Sequence, residues 1–104
     1  MLYEDKQLYA CLASYPLTEG HTIVVWKDDK KDIHELTRVQ YSHLMLVVER
    51  MRDKLLDELG VEKVYLMYMD EIEHVHWHLI QRYDEEGYNL LKHKPQLNED
   101  FTLA

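Results

Sequence analysis

Three histidines stand at alternate positions in His74-Val75-His76-Trp77-His78-Leu79-Ile80, with apolar residues between and after them. In an extended strand alternate side chains share a face. The spacing therefore predicts one row of imidazoles, with Val75, Trp77 and Leu79 turned the other way into a core. Imidazole changes charge near neutral pH and serves as nucleophile, acid or base. It is also a common metal ligand. The row thus points either to group-transfer chemistry or to a metal centre. With seven histidines in 104 residues, three alternating ones would arise somewhere by chance roughly 3% of the time, so coincidence is a weak explanation of the pattern.

The elements that must position this row can be placed from pattern alone. Residues 2–4 and 7–13 read as a hairpin around Asp5-Lys6, and Tyr15-Pro16-Leu17-Thr18-Glu19-Gly20 carries turn chemistry, proline presetting φ and glycine permitting φ > 0. His21-Thr22-Ile23-Val24-Val25-Trp26 is β-branched and aromatic, a strand. A charged loop, 27–32, and a short helical turn over 33–36 lead to Thr37, an expected N-cap. Tyr41, Leu44, Val48, Met51, Leu55 and Leu59 then follow helical spacing, and Gly60 fits the position that ends the helix. Residues 63–69 predict another strand, joined to the histidine strand over 74–80 by the short Asp70-Glu71-Ile72-Glu73. Strands with one main helix give an α+β class, mainly an antiparallel sheet of about five strands, a usual sheet size. Trp26, Trp77, Met45 and Met51 are assigned to the core, His43 to the surface or its boundary. His34 and His93 are given no role.

Composition bounds the function. The length predicts a single domain over 1–104, its globular core about 2–82 and a polar, aperiodic tail over 83–104. Hydrophobic residues make up 46%, enough for a packed core, and the formal charge of −8 argues against binding to a nucleic-acid polymer or an anionic membrane, which need basic surface. Cys11 is the lone cysteine; it permits no intrachain disulfide and no Cys-rich zinc site, and is read as a small core residue. No apolar run is long enough to span a bilayer, and the N-terminus is not a signal peptide. A cytoplasmic protein is the expectation.

His74-x-His76-x-His78-x-x with apolar x residues resembles the signature of the histidine triad (HIT) family. Pro16-x-x-x-Gly20-His21-Thr22-Ile23-Val24-Val25 resembles that family's Gly-His strand, which lies about fifty residues before the triad, and the order of elements between them matches. The resemblance covers roughly residues 2–82. It implies a HIT-like fold, a homodimer and a metal-independent nucleotidyl hydrolase or transferase acting at the α-phosphate of a nucleotide conjugate, of phosphoramidate or dinucleoside polyphosphate type. By that resemblance His76 is the nucleophile and forms a covalent nucleotidyl-histidine. His78 contacts the phosphate and assists the leaving group, and His74 supports the site. His21 approaches His74 from the neighbouring strand and completes a four-histidine cluster. No cofactor is implied.

The chain departs from the family in its substrate contacts. The family's ribose-binding aspartate aligns with Ala13, followed by Ser14, which is carried as the candidate substrate-binding residue. A glycine-rich phosphate loop before the triad is replaced by acidic Asp70-Glu71-Ile72-Glu73, and Trp26-Lys27-Asp28-Asp29 lacks the histidine of the family's Pro-Lys-x-His. Two rival functions follow. Acidic neighbours suit a cation, so His74, His76 and His78 with Glu71 or Glu73 could form a metal site. The fold could also serve as a non-catalytic interaction module.

Overall fold

A computed structural model of the chain describes residues 1–69 and 72–82. Five strands and one long helix follow in the order β1 (Tyr3–Glu4), β2 (Leu8–Leu12), β3 (Thr22–Trp26), α1 (Arg38–Leu59), β4 (Lys63–Tyr68) and β5 (His76–Arg82). The strands form one sheet in the order β1-β2-β3-β5-β4, and every neighbouring pair is antiparallel. The α+β architecture expected from the sequence is what is observed. Asp70 and Glu71, and the tail over 83–104, lie outside the described residues.

Local chemistry explains the element boundaries. Asp5 closes the β1–β2 turn by accepting the Gln7 and Leu8 amides at 2.8 and 2.9 Å, and His43 of α1 reaches its other oxygen at 2.7 Å, tying hairpin to helix. Burial disfavours the Asp5 carboxylate, yet bonds from the Gln7 amide, the Tyr3 hydroxyl, the Leu8 amide and His43 outweigh it and hold its pKa down at about 2. Thr37 and Gln40 form a reciprocal capping box at the start of α1, and Gly60 ends it in the left-handed conformation at φ 63°.

The sheet has two unlike faces. Leu8, Ala10, Val24, Trp26, Val75 and Leu79 pack with Leu44, Val47, Val48, Met51 and Leu55 of α1 in the main core. Full burial of such side chains contributes about 1.5–3 kcal/mol each. The helix stripe is displaced slightly from its expected extent: Tyr41 and Leu59 are exposed, while Val47 is buried. Val47 joins the stripe because it lies three residues after Leu44 and four before Met51, on the same helix face. The opposite face carries a smaller cluster of Ala13, Ile23 and Val25, with Tyr9 and half-buried Cys11 against it. Burial raises the Cys11 thiol pKa.

Candidate active site

Register determines what meets the histidines. Across the β3–β5 ladder Val25 stands opposite His76 and Ile23 opposite His78, while Val24 pairs with Trp77 and Thr22 with Leu79. Directly opposed residues of an antiparallel pair share a face. His76 and His78 therefore stand on the face away from α1, and Val75, Trp77 and Leu79 contribute to the helix side as the alternation predicts. His76 is 2% and His78 7% exposed.

His74 departs from the expected row. Strand β5 begins at His76, so His74 precedes the ladder, half-buried, and its Nε2 lies 2.6 Å from the Trp26 carbonyl, to which it donates. Neighbouring backbone bonds hold it there: the Val75 amide donates to the Lys30 carbonyl at 2.9 Å and the Trp26 amide to the Val75 carbonyl at 3.0 Å. The backbone carbonyl of His74 faces the site, 2.6 Å from His76 Nδ1.

His21 does not approach His74. Because β3 and β5 are antiparallel, the start of β3 lies beside the far end of the triad, and His21 Nε2 sits 2.9 Å from His78 Nδ1, while Trp26 at the end of β3 is the residue that meets His74. His76 Nε2 and His78 Nε2 are 3.1 Å apart. The two ring pairs have centroids 5.1 Å (His21–His78) and 4.9 Å (His76–His78) apart. The cluster is thus His21–His78–His76, with His74 contributing its carbonyl and its anchoring ring. Burial depresses the His21 pKa to about 4. Burial, then the nearness of His76 and of His21, depresses that of His78 to about 3. Both imidazoles are neutral at pH 7.

Several partners carry no signal in the sequence. The Leu17 amide donates to His21 Nδ1 at 3.1 Å, and a backbone group cannot be read from residue type. Gly20, at φ 84°, has its carbonyl bonded by Thr22 Oγ1 at 2.9 Å and Gln81 Nε2 at 2.8 Å. Gln81 could have been noticed as a polar residue closing an apolar strand, where burial demands a partner. The positive φ is what calls for glycine here; a Cβ at Gly20 would also lie 3.0 Å from Leu59 Cδ1, the end of an exposed side chain that would have to shift. Ser14 is exposed on the loop leaving β2. Its neighbour Ala13 donates its amide to the His21 carbonyl at 2.8 Å. Trp26 is fully buried in the core, and Trp77 packs against that core and against Tyr68, ring centroids 5.4 Å apart.

Among the described residues His74, His76 and His78 do not form the metal arrangement considered for them: His74 precedes the strand and its Nε2 is bonded to the Trp26 carbonyl. Glu73 is exposed, Glu71 is outside the described residues, and among the described residues no group of three His, Cys, Asp or Glu side chains is disposed to hold a metal ion. No helix among them is long and apolar enough to cross a membrane.

Comparison with known proteins gives a consistent picture. The family model described as HIT domain matches residues 1–85. An uncharacterized HIT-like protein of Methanocaldococcus jannaschii is 28% identical over 93 residues, 84% of this chain and 71% of its own length. An adenosine 5'-monophosphoramidase of Saccharomyces cerevisiae is 29% identical over 102 residues, 96% of this chain; the chain spans 64% of that enzyme's length. Among solved structures, a HIT family protein from Bacillus anthracis superposes with a TM-score of 0.73 at 30% identity, covering 96% of this chain and 74% of that one.

Proposed function

The chain belongs to the HIT domain family, and from that premise we propose that it is a nucleotidyl hydrolase or transferase working at the α-phosphate of a nucleotide conjugate through a covalent intermediate on His76. One observation carries the reading: His76 Nδ1 lies 2.6 Å from the His74 carbonyl. A carbonyl only accepts, so Nδ1 holds the proton of the neutral ring. The lone pair is then on Nε2, on the side of His78.

The chemistry follows. His76 Nε2 attacks the α-phosphorus; an N–P bond forms as the P–N or P–O bond to the leaving group breaks, and the leaving group departs with that electron pair, an amine leaving group also taking a proton from solvent that the water consumed in the second step returns. The developing imidazolium keeps its Nδ1 proton on the His74 carbonyl, which offsets the charge. Water then attacks phosphorus, the N–P bond breaks and its electron pair returns to Nε2. The product is a nucleoside monophosphate, with water's proton released. His78 supplies an N–H to the phosphoryl oxygen. At pH 7 its neutral ring acts as a hydrogen-bond donor to the transition state.

The yeast relative's phosphoramidase activity supports a phosphoramidate as first substrate to try. A homodimer and a cytoplasmic setting belong to the same reading; β4, at the end of the strand order, offers a backbone edge for a second copy. The deciding experiment is to trap the intermediate. The protein is mixed with adenosine 5'-phosphoramidate, quenched in the millisecond-to-second range, digested and weighed. The expected result is an adenylyl mass increment on the peptide carrying His76, absent in His76→Ala. Turnover with no adduct at any quench time, and unchanged turnover in that variant, would defeat the proposal.

A further inference from the structure

We propose that His21 is a positioning residue, and that the turn from Leu17 to His21 fixes which nitrogen of His78 carries its proton. The inference rests on the reading of His76 as nucleophile and adds what prepares its partner. The hydrogen-bond chain has two ends of fixed polarity. At one end, a backbone amide can only donate, so Leu17 N–H makes His21 Nδ1 an acceptor at 3.1 Å. A neutral imidazole holds one proton, which must then sit on His21 Nε2. That N–H faces His78 Nδ1 at 2.9 Å and makes it an acceptor in turn, leaving the proton of His78 on Nε2. At the other end, the His74 carbonyl places the His76 proton on Nδ1 and leaves Nε2 bare.

The two runs of hydrogen bonds meet between His78 Nε2 and His76 Nε2, 3.1 Å apart, where a donor faces an acceptor. Reversing His21 would set its Nδ1–H against the Leu17 N–H. Reversing His78 would set two N–H groups head to head at His21 and, at the same time, two lone pairs face to face at His76. Burial supports the premise of neutral rings, since it holds His21 and His78 near 4 and 3. The turn is braced to present the Leu17 amide, by the His21 amide on the Thr18 carbonyl at 3.1 Å and by Thr22 and Gln81 on the Gly20 carbonyl.

The consequence is a hydrogen-bond exchange at the start of catalysis. Between the two rings the His78 N–H occupies the lone pair that His76 must use. A phosphoryl oxygen arriving near both draws that N–H away and frees His76 Nε2 to attack. His21 does not touch the substrate; it ensures that the nitrogen of His78 nearest the reaction carries the proton.

The test uses the full chain labelled with 15N in histidine, and long-range 1H–15N correlation spectra at pH 7, which separate protonated from unprotonated ring nitrogens. Wild type is expected to show His78 protonated on Nε2 and bare on Nδ1. In His21→Ala, His78 shifts toward the Nδ1–H tautomer. The kcat for adenosine 5'-phosphoramidate falls about 10- to 100-fold, short of the ~10³ reached on deleting a transition-state donor outright, while KM changes less than about 3-fold. His21→Gln, whose side-chain amide can donate to the same nitrogen, restores the tautomer and most of kcat. A wild-type spectrum with His78 protonated on Nδ1 overturns the proposal, and it does so even if His21→Ala fails to fold. An unchanged tautomer in folded His21→Ala does the same. Since the spectra need no substrate, absence of hydrolysis would count against the proposed function and leave this inference standing on its own evidence.

Discussion

His78 and Leu79 are consecutive residues of β5, 7% and 0% exposed, yet they stand on faces that are built differently. The helix side of the sheet is a continuous apolar core against α1, and what it asks of a residue is volume. The histidine side sets imidazoles among Ile23, Val25, Ala13, Tyr9 and Cys11, and what it asks is a proton on one stated nitrogen. Burial serves both faces for opposite reasons. On the helix side it is the source of stability. On the histidine side it costs the charged state of two rings, and by keeping them neutral it preserves lone pairs that protonation would remove.

The difference predicts the largest effect at His76. Replacing it with alanine removes the nucleophile and leaves the helix-side core untouched. Hydrolysis of adenosine 5'-phosphoramidate is expected to fall by at least roughly 10⁴-fold, about 5.5 kcal/mol of transition-state stabilisation. The far-UV circular dichroism spectrum stays that of wild type. Steady-state kinetics beside a thermal melt checks this: retained activity would show that the histidine face is ordinary packing and would erase the contrast between the faces.

The distinction between the faces was partly legible in the sequence. Alternation assigned Val75, Trp77 and Leu79 to one side and His76 and His78 to the other, because strand geometry has a period of two wherever the chain is extended. Thr37 and Gly60 announced the ends of α1 because capping is a local demand. Long-range matters were hidden. That His21 meets His78 and not His74 depends on the register of two strands more than fifty positions apart in sequence, and no local pattern encodes it. His74 leaves the row because its ring finds a carbonyl at the end of β3, again a tertiary choice. The Leu17 amide is backbone and has no residue signature. Ser14, carried as the candidate substrate contact because it follows Ala13 at the family's ribose-aspartate position, is exposed on the loop leaving β2, and a single side chain's direction in an irregular loop does not follow from its type.

Acid offers a second way to sharpen the comparison. Histidines whose folded pKa values lie near 4 and 3, below the unfolded value of about 6.5, bind protons more readily in the unfolded chain. Their contribution to stability is whole above pH 6.5 and is lost as pH falls toward 4. The loss by pH 4 is expected to be on the order of 4 kcal/mol, discounted from the sum because the two rings are coupled. The Asp5 carboxylate, held near 2, shifts stability in the same direction, but only in the lower window from about pH 4 to 2. Urea unfolding at several pH values measures the curve. His78→Ala should flatten it between pH 6.5 and 4, and an equally steep curve in that variant would place the acid sensitivity elsewhere.

Leu79→Ala completes the comparison from the other side. The residue adjoins His78 in the chain but packs between Leu66 and Thr22 across the strands and into the core under α1. Truncation removes apolar volume from a site enclosed by strands and helix, where relaxation is limited. The expected loss is about 3 kcal/mol, within the range for buried leucines. A shift in the urea midpoint at unchanged slope would report it. The backbone of β5 is held by ladders on both sides, so the imidazole contacts should survive below the unfolding transition, with kcat within about 3-fold of wild type. A variant that stays folded yet loses activity as His76→Ala does would mean that helix-side volume sets the nitrogen–nitrogen distances, and that the two faces act as one unit.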